Sequence, residues 1–212
     1  AVPIYVNPGI DDILGIALGM RVEDVAAAIA RHPDAKAVFV NNPTYYGICS
    51  DLRAITKLAH DHGMKVLVDE AHGTHLYFSN RLPTAAMDAG ADMAAISMHK
   101  SGGSLTQSSI LLCADSMPPG YVHQIINITQ TTSASYLLLA SLDISRRNLA
   151  LRGREVIDKI IDLVAYARDE INAIGDYYAY GRELIDGAAV FDFDTTKLSI
   201  FTRPTGLALS LI

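Results

Sequence analysis

The residues best suited to chemistry follow two buried strands that we predict near the middle of the chain. One set, Asp69 to His75, reads Asp-Glu-Ala-His-Gly-Thr-His, and the other, Ser97 to Ser109, holds Lys100 among serines, glycines and a threonine. Ligands of open parallel sheets bind outside the carboxyl ends of the strands, and a loop rich in hydroxyl and backbone N–H groups can hold a phosphate. We therefore expect a functional site where these strand ends meet, although Lys100 alone is more readily explained as an exposed loop lysine.

A lysine and a carboxylate at neighbouring strand ends suit one cofactor in particular. Pyridoxal 5′-phosphate (PLP) needs a lysine amine to hold its aldehyde and a carboxylate to keep its pyridine nitrogen protonated. The protonated ring then stabilises a carbanion at the α-carbon of an amino-acid substrate. Lys100 and Asp69 could meet opposite ends of this small ring if their two strands are adjacent.

Three other interpretations of the same residues lack partners that they require. The Asp-Glu-Ala-His box of certain nucleic-acid helicases is present at residues 69–72, but the phosphate loop G-x-x-x-x-G-K-[ST] is not in the sequence. His72 and His75 could bind a metal with Asp69, yet the H-E-x-x-H spacing of a catalytic zinc helix is missing, so we expect no metal. A Ser/His/Asp hydrolase would show a nucleophile signature such as G-x-S-x-G.

Strand and helix patterns alternate through the first half of the chain, and helices dominate the second. This order predicts an α/β fold with a mostly parallel sheet and helices on both faces, with residues 1–150 as a core domain and residues 151–212 as a long helix and the start of a small α+β unit. The predicted strands are 4–6, 37–40, 65–69, 93–97, 109–113, 197–202 and 206–212, and the predicted helices are 22–31, 51–62, 135–147 and 154–174. Ser50 is expected to cap the second helix.

Composition excludes several classes of protein. The net charge of −6 comes without a run of Lys or Arg, so nucleic-acid binding has no electrostatic basis. No apolar run approaches the length of a membrane span, and two distant cysteines do not form a disulfide framework, which favours a reducing cytoplasm. Because the sequence begins and ends within apolar strand patterns, we expect it to be a fragment of a longer chain.

The segment from Ala95 to Ser109 closely resembles the PLP attachment segment of the Orn/Lys/Arg decarboxylase family, with its S-x-H-K followed by small residues and T-Q-S-S. Residues 42–47, 68–73 and 131–143 also resemble this family, in the expected order. The resemblance covers nearly the whole chain and is weakest after about residue 150. It implies the large domain of the aspartate-aminotransferase fold and a homodimer or higher homo-oligomer with active sites at the interface.

The resemblance also implies roles for individual residues. Lys100 would form the Schiff base with PLP and Asp69 would pair with the pyridine nitrogen, while either His99 or Lys100 would return a proton to the α-carbon. The remaining expected contacts are Ala71 on the ring, His72 beside it, Ser97 and His99 at the phosphate, Thr131 or Thr132 at the phosphate of the neighbouring subunit, and Thr44 and Tyr45 near the phenolic oxygen or the substrate.

The sequence also departs from the family, whose members carry roughly another hundred residues before this start, including a phosphate loop, and a further C-terminal domain. The expected activity is decarboxylation of arginine, lysine or ornithine to the amine. One alternative is another PLP enzyme of the same fold, such as an aminotransferase or a C–S lyase. The other is an inactive fragment that only dimerises.

Overall fold

A computed structural model describes residues 2–202 and has the α/β architecture that the sequence predicts. The helices are α1 (Val22–Arg31), α2 (Leu52–Asp61), α3 (Pro119–Thr129) and α4 (Tyr136–Ile174). The strands are β1 (Ile10–Asp11), β2 (Ile16–Ala17), β3 (Ala37–Asn41), β4 (Ile48–Cys49), β5 (Lys65–Asp69), β6 (Met93–Ile96), β7 (Ile110–Cys113), β8 (Tyr177–Ala179), β9 (Asp192–Phe193) and β10 (Ile200–Thr202).

The main sheet has the strand order β3-β5-β6-β7. Strands β3, β5 and β6 are parallel, and β7 returns antiparallel to β6. Three further two-stranded sheets pair β1 with β2, β4 with β9, and β8 with β10. The parallel strands of the main sheet therefore end at one edge, as expected from the sequence.

Helices α1 and α2 cover one face of the main sheet. Both helices follow apolar spacings of three and four residues, which bring Val25 and Ile29 of α1 and Ile55 of α2 into one buried cluster with Val40 and Val66. The cap of α2 differs from the expectation, because the Asp51 carboxylate accepts the N–H of Ala54 at 3.0 Å. Ser50 instead accepts the N–H of Met20 through its hydroxyl at 2.9 Å, which ties the start of α1 to the end of β4.

The opposite face of β3 is open among the described residues, although a continuous apolar run is typical of a strand covered on both sides. Its residues alternate between the two faces, so Val40 is fully buried while Phe39 remains 64% exposed. Leu111 of β7 is also exposed. A continuous apolar run predicts the strand correctly but does not show which covering elements belong to this chain.

Helix α4 is one continuous helix of 39 residues, so the predicted break between residues 147 and 154 is wrong. No proline interrupts it, and its one interior glycine, Gly153, serves packing. A Cβ built on Gly153 would lie 2.7 Å from the ring of Phe78, which belongs to the 3₁₀ helix Thr74–Phe78. The glycine lets α4 approach the segment that follows β5.

Other local expectations differ from the structure in identifiable ways. Residues 4–6 do not form a strand, because apolar side chains alone do not supply a pairing partner, and Tyr5 is exposed. Helix α3 is absent from the sequence prediction, and it buries none of its residues within the described part of the chain. The strand predicted at 197–202 is confirmed over Ile200–Thr202, and the one predicted at 206–212 lies outside the described residues. Among residues 2–202, no helix has the length and apolarity needed to cross a bilayer.

Replacing Gly153 with alanine tests the packing of α4. Alanine favours helix formation, but its Cβ would overlap Phe78, and we expect a net loss of about 1–3 kcal/mol in the free energy of unfolding. Gly120→Ala in α3 is the matched control, because nothing lies within 4 Å of the position that its Cβ would take. If urea unfolding showed Gly153→Ala to be as stable as the control, close packing of α4 on Phe78 would be contradicted.

Candidate active site

Parallel pairing of β5 with β6 brings the two predicted polar clusters to one sheet edge. Asp69 is the register partner of Ala95, and the next residue, Glu70, donates its N–H to the carbonyl of Ala95 at 3.0 Å. Beyond the strands, the Thr74 hydroxyl donates to the carbonyl of Ser97 at 3.2 Å. The loop after β5 and the loop after β6 are thus bonded to each other at this edge.

Lys100 lies on a single turn of π-helix, Met98–Gly102, directly after β6. The turn ends at Gly103, whose φ of 88° is left-handed and favours glycine. The His99 Nδ1–H donates to the carbonyl of Ser108 at 2.8 Å, which fastens the turn to the return of the loop. The Lys100 side chain is exposed, and its Nζ lies 3.4 Å from Nε2 of His72.

Asp69 and Glu70 are adjacent carboxylates in opposite environments, because successive side chains at the end of a strand point to opposite faces. Asp69 is partly exposed, and its Oδ1 accepts the N–H of Ala71 at 3.0 Å. Glu70 is fully buried; it accepts the Tyr77 hydroxyl at 2.5 Å and the Ala86 N–H at 2.7 Å. Burial outweighs these bonds and raises the pKa of Glu70 to about 7.

His72 lies between the lysine and the turn that follows β3. Partial burial lowers the pKa of the His72 imidazole, and the charges of Lys100 and Lys197 lower it further against the opposing effect of Asp69. Its ring meets the ring of Tyr45 edge-to-face, with centroids 5.3 Å apart. A neutral His72 can accept a hydrogen bond from the Lys100 ammonium group.

Several serines lie around the turn Met98–Gly102, which we call the lysine turn. The Ser97 hydroxyl makes no hydrogen bond with the described residues, and Ser101 Oγ is buried without a partner in the same part of the chain. The hydroxyls of Ser104 and Ser108 contact each other. Helix α4 supports this loop, since the Leu105 N–H donates to the Ser141 hydroxyl at 3.2 Å.

The structure does not bring the remaining candidates to Lys100. Thr131 and Thr132 are exposed between α3 and α4, and Thr131 Oγ1 accepts only the N–H of Ser133 among the described residues. The Thr44 hydroxyl accepts the N–H of Ile48 at 3.2 Å within its own turn. Thr44 is therefore engaged in local structure, whereas the neighbouring Tyr45 faces His72.

A buried pair that sequence reasoning missed lies behind His72. His75, considered from sequence only as a metal ligand, bonds through Nε2 to Asp194 Oδ2 at 2.8 Å. The two residues are 119 positions apart, and no spacing rule connects them. Burial raises the pKa of Asp194, but hydrogen bonds from His75 and Thr196 and the charge of His75 outweigh it, so the pKa lies below its usual range.

The fold and the loops at this edge define an α/β domain with a lysine-centred site, and comparison with known proteins identifies the family. The profile of the Orn/Lys/Arg decarboxylase major domain matches residues 1–199. Arginine decarboxylases of Halalkalibacterium halodurans and Bacillus subtilis are 50% and 47% identical over 208 residues, 98% of this chain. The chain belongs to the Orn/Lys/Arg decarboxylase family, and it spans 42% of the length of each of these relatives.

Solved structures confirm the fold. The lysine decarboxylase of Francisella novicida superposes with a TM-score of 0.74 at 21% identity, covering 87% of this chain and 28% of that chain. Lysine decarboxylase A of Pseudomonas aeruginosa gives a TM-score of 0.71 at 22% identity, covering 87% of this chain and 27% of that one. The fold class predicted from sequence, α/β with a mostly parallel sheet, is therefore correct.

Glu70 makes the stability of the fold depend on pH. Its pKa rises from 4.5 to about 7 on folding, so between these values the unfolded chain loses a proton that the folded chain keeps. The free energy of unfolding should then fall as pH rises through this window, by up to about 3 kcal/mol. Glu70→Gln should remove this contribution, so the variant gains stability relative to the wild type between about pH 5 and about pH 8. Urea unfolding of the wild type and the variant at both pH values measures this gain. If both proteins lost the same stability between the two pH values, the raised pKa of Glu70 would be contradicted.

Proposed function

We propose that this chain forms the PLP-binding core of an enzyme that decarboxylates a basic amino acid, with arginine as the first substrate to test. The observation that carries the proposal is the contact between Lys100 Nζ and His72 at the edge where Asp69 ends the neighbouring strand. Lys100 lies in the segment that resembles the PLP attachment segment of the family, and His72 lies in a second segment that resembles the family. Arginine is chosen because the relatives at 50% and 47% identity are arginine decarboxylases.

The residues at the edge fit PLP. Lys100 offers an exposed amine, Asp69 has one carboxylate oxygen without a partner among the described residues, and Ala71 is small enough for a ring to lie against it. Lys100 would hold the aldehyde, Asp69 the pyridine nitrogen, and His72 would flank the ring. Ser97 and His99 would contact the phosphate of the cofactor. Thr131 or Thr132 would contact the phosphate of the cofactor bound to a second copy of the chain.

PLP, when bound, supplies an electron sink for the carbanion that remains at the α-carbon after CO₂ leaves. The chain supplies the charges and protons around it. Asp69 would keep a proton on the ring nitrogen, because a carboxylate stabilises the protonated form of an adjacent base. Lys100 Nζ and His99 Nε2 are the two candidates to return a proton to the α-carbon, since neither is held in a strong hydrogen bond among the described residues.

We propose that residues 1–150 form the PLP-binding core and residues 151–212 begin a smaller unit. Helix α4 spans the boundary and belongs to both. Its first part contacts the loop that follows Lys100, through the hydrogen bond between Leu105 and Ser141, and its second part packs on β8. The two cysteines, Cys49 and Cys113, are both free thiols, which supports a reducing compartment such as the cytoplasm.

We also propose a homodimer that uses the surface around α3 and the start of α4. Helix α3 buries none of its residues, although Tyr121, Ile125 and Ile128 are apolar and exposed. Tyr136 and Leu137 continue this apolar surface on α4. Large exposed apolar patches mark interaction sites, and Thr131 and Thr132 lie between the two helices, where a second copy would meet them.

Lys100→Ala and Asp69→Asn separate cofactor attachment from catalysis. The variants are made in the purified full-length product of the gene that encodes these residues. Wild type with PLP should release CO₂ and agmatine from arginine. Lys100→Ala should lose the absorbance of bound PLP and its trapping by borohydride. Asp69→Asn should keep the cofactor and lose turnover by orders of magnitude, because the ring loses its protonated form. Normal turnover by Asp69→Asn, or PLP binding without any amine product, would contradict the proposal.

Two charged substitutions test the proposed dimer surface. Ile128 and Leu137 are 73% and 78% exposed, so Ile128→Glu with Leu137→Glu should leave the monomer fold intact while placing like charges in the interface. Sedimentation velocity should show a shift from dimer to monomer. Leu163→Glu, at an exposed position farther along α4, is the control and should remain dimeric. A double variant that stays dimeric would place the interface elsewhere.

A further inference from the structure

His72 is held between two loops that lie far apart in the sequence. One is the loop after β5, which carries His72 itself and continues into the 3₁₀ helix Thr74–Phe78. The other is the turn between β3 and β4, which carries Tyr45 against the His72 ring. Any group that fixes both loops fixes the position of His72 and, through the 3.4 Å contact, that of the Lys100 amine.

Asp194, directly after β9, is bonded to both loops. Its carboxylate accepts His75 Nε2–H at 2.8 Å, three residues beyond His72. Its backbone N–H donates to the carbonyl of Gly47 at 2.8 Å, two residues beyond Tyr45. The side chains of Asp194 and His75 are 0% and 4% exposed, so water does not compete for these bonds.

The segment that carries Asp194 is itself fixed. The Thr196 hydroxyl and N–H donate to Asp194 Oδ1 at 2.7 and 3.0 Å. Arg168 of α4 donates to the carbonyl of Lys197 at 2.6 Å. Gly47 approaches this segment so closely that a Cβ would lie 2.8 Å from the Lys197 side chain, and its φ of +87° also favours glycine. Asp194 is therefore a rigid anchor, not a mobile side chain.

We propose that Asp194 is a positioning residue of the active site: its carboxylate and its backbone N–H together hold the two loops that enclose His72, so that His72 keeps its place beside Lys100. This inference rests on the proposed function only where it concerns PLP. The placement of His72 is a property of the chain without cofactor. The groups whose charges shift the pKa of His72 are Lys100, Lys197, Asp69 and His75.

Asp194→Asn tests the proposal, because it keeps the size of the side chain and removes the negative charge of the carboxylate that accepts the hydrogen bond from His75. The protonation midpoint of His72, followed by NMR of its imidazole and assigned with His72→Gln, should rise toward the ordinary histidine value of about 6.5 as the ring leaves Lys100 and gains water. In the same variant, PLP should bind on the order of tenfold more weakly, as expected for the loss of one charge-assisted hydrogen bond.

Asp192→Asn is the matched control: Asp192 lies on β9, two residues before Asp194, and its weak ion pair with Arg182 spans 3.8 Å. It should change neither readout. An Asp194→Asn variant that is folded and leaves the His72 midpoint unchanged overturns the positioning role. If the midpoint moves but wild type does not bind PLP, the positioning role stands and the proposed function fails.

If Asp194→Asn does not fold, Thr196→Val takes its place. It removes the hydroxyl that donates to Asp194 and also contacts His75 Nε2, and it preserves the shape of the side chain. The His72 midpoint should then move in the same direction by a smaller amount. A folded Thr196→Val variant with wild-type His72 titration and wild-type PLP affinity would count against the proposal.

Discussion

The parallel pairing of β5 with β6 is the constraint on which the site depends. Hydrogen bonds between parallel strands bring the residues after both strands to one edge, and the bond from Glu70 to Ala95 extends this pairing one residue beyond Asp69. The carboxylate and the lysine turn thereby become neighbours, although 31 positions separate Asp69 from Lys100 in the sequence. The bond from Thr74 to Ser97 then closes the space between the two loops.

Strand alternation assigns opposite tasks to two neighbouring carboxylates. Asp69 reaches a partly exposed edge, where an ionised group retains water and can meet a ligand. Glu70 points into the core, where burial favours its neutral form and where it fixes Tyr77 and the N–H of Ala86. The core carboxyl group organises the loop, and the edge carboxylate remains available for chemistry.

Much of this fold and site can be predicted from sequence, and the failures have physical causes. The strand from Lys65 to Asp69 is predicted to the residue, because a short apolar run bounded by polar residues strongly favours a buried strand. The lysine turn is recognisable because its motif is long. Asp194 escapes prediction because its partner lies 119 positions away, and a long-range bond leaves no trace in local periodicity. Helix α3 escapes it because its start reads Pro-Pro-Gly, a sequence that is typical of a turn. The role of Thr131 and Thr132 cannot be read from one chain, since both are exposed.

If Lys100 holds the cofactor, peptide mapping of the reduced protein should find the cofactor on this lysine. The purified protein is mixed with PLP, reduced with borohydride, digested and analysed by mass spectrometry. The pyridoxyl mass is expected on Lys100. This role of Lys100 would be contradicted by a label on Lys197, whose charge also reaches His72, by a label on any other lysine in preference to Lys100, or by no label at saturating PLP.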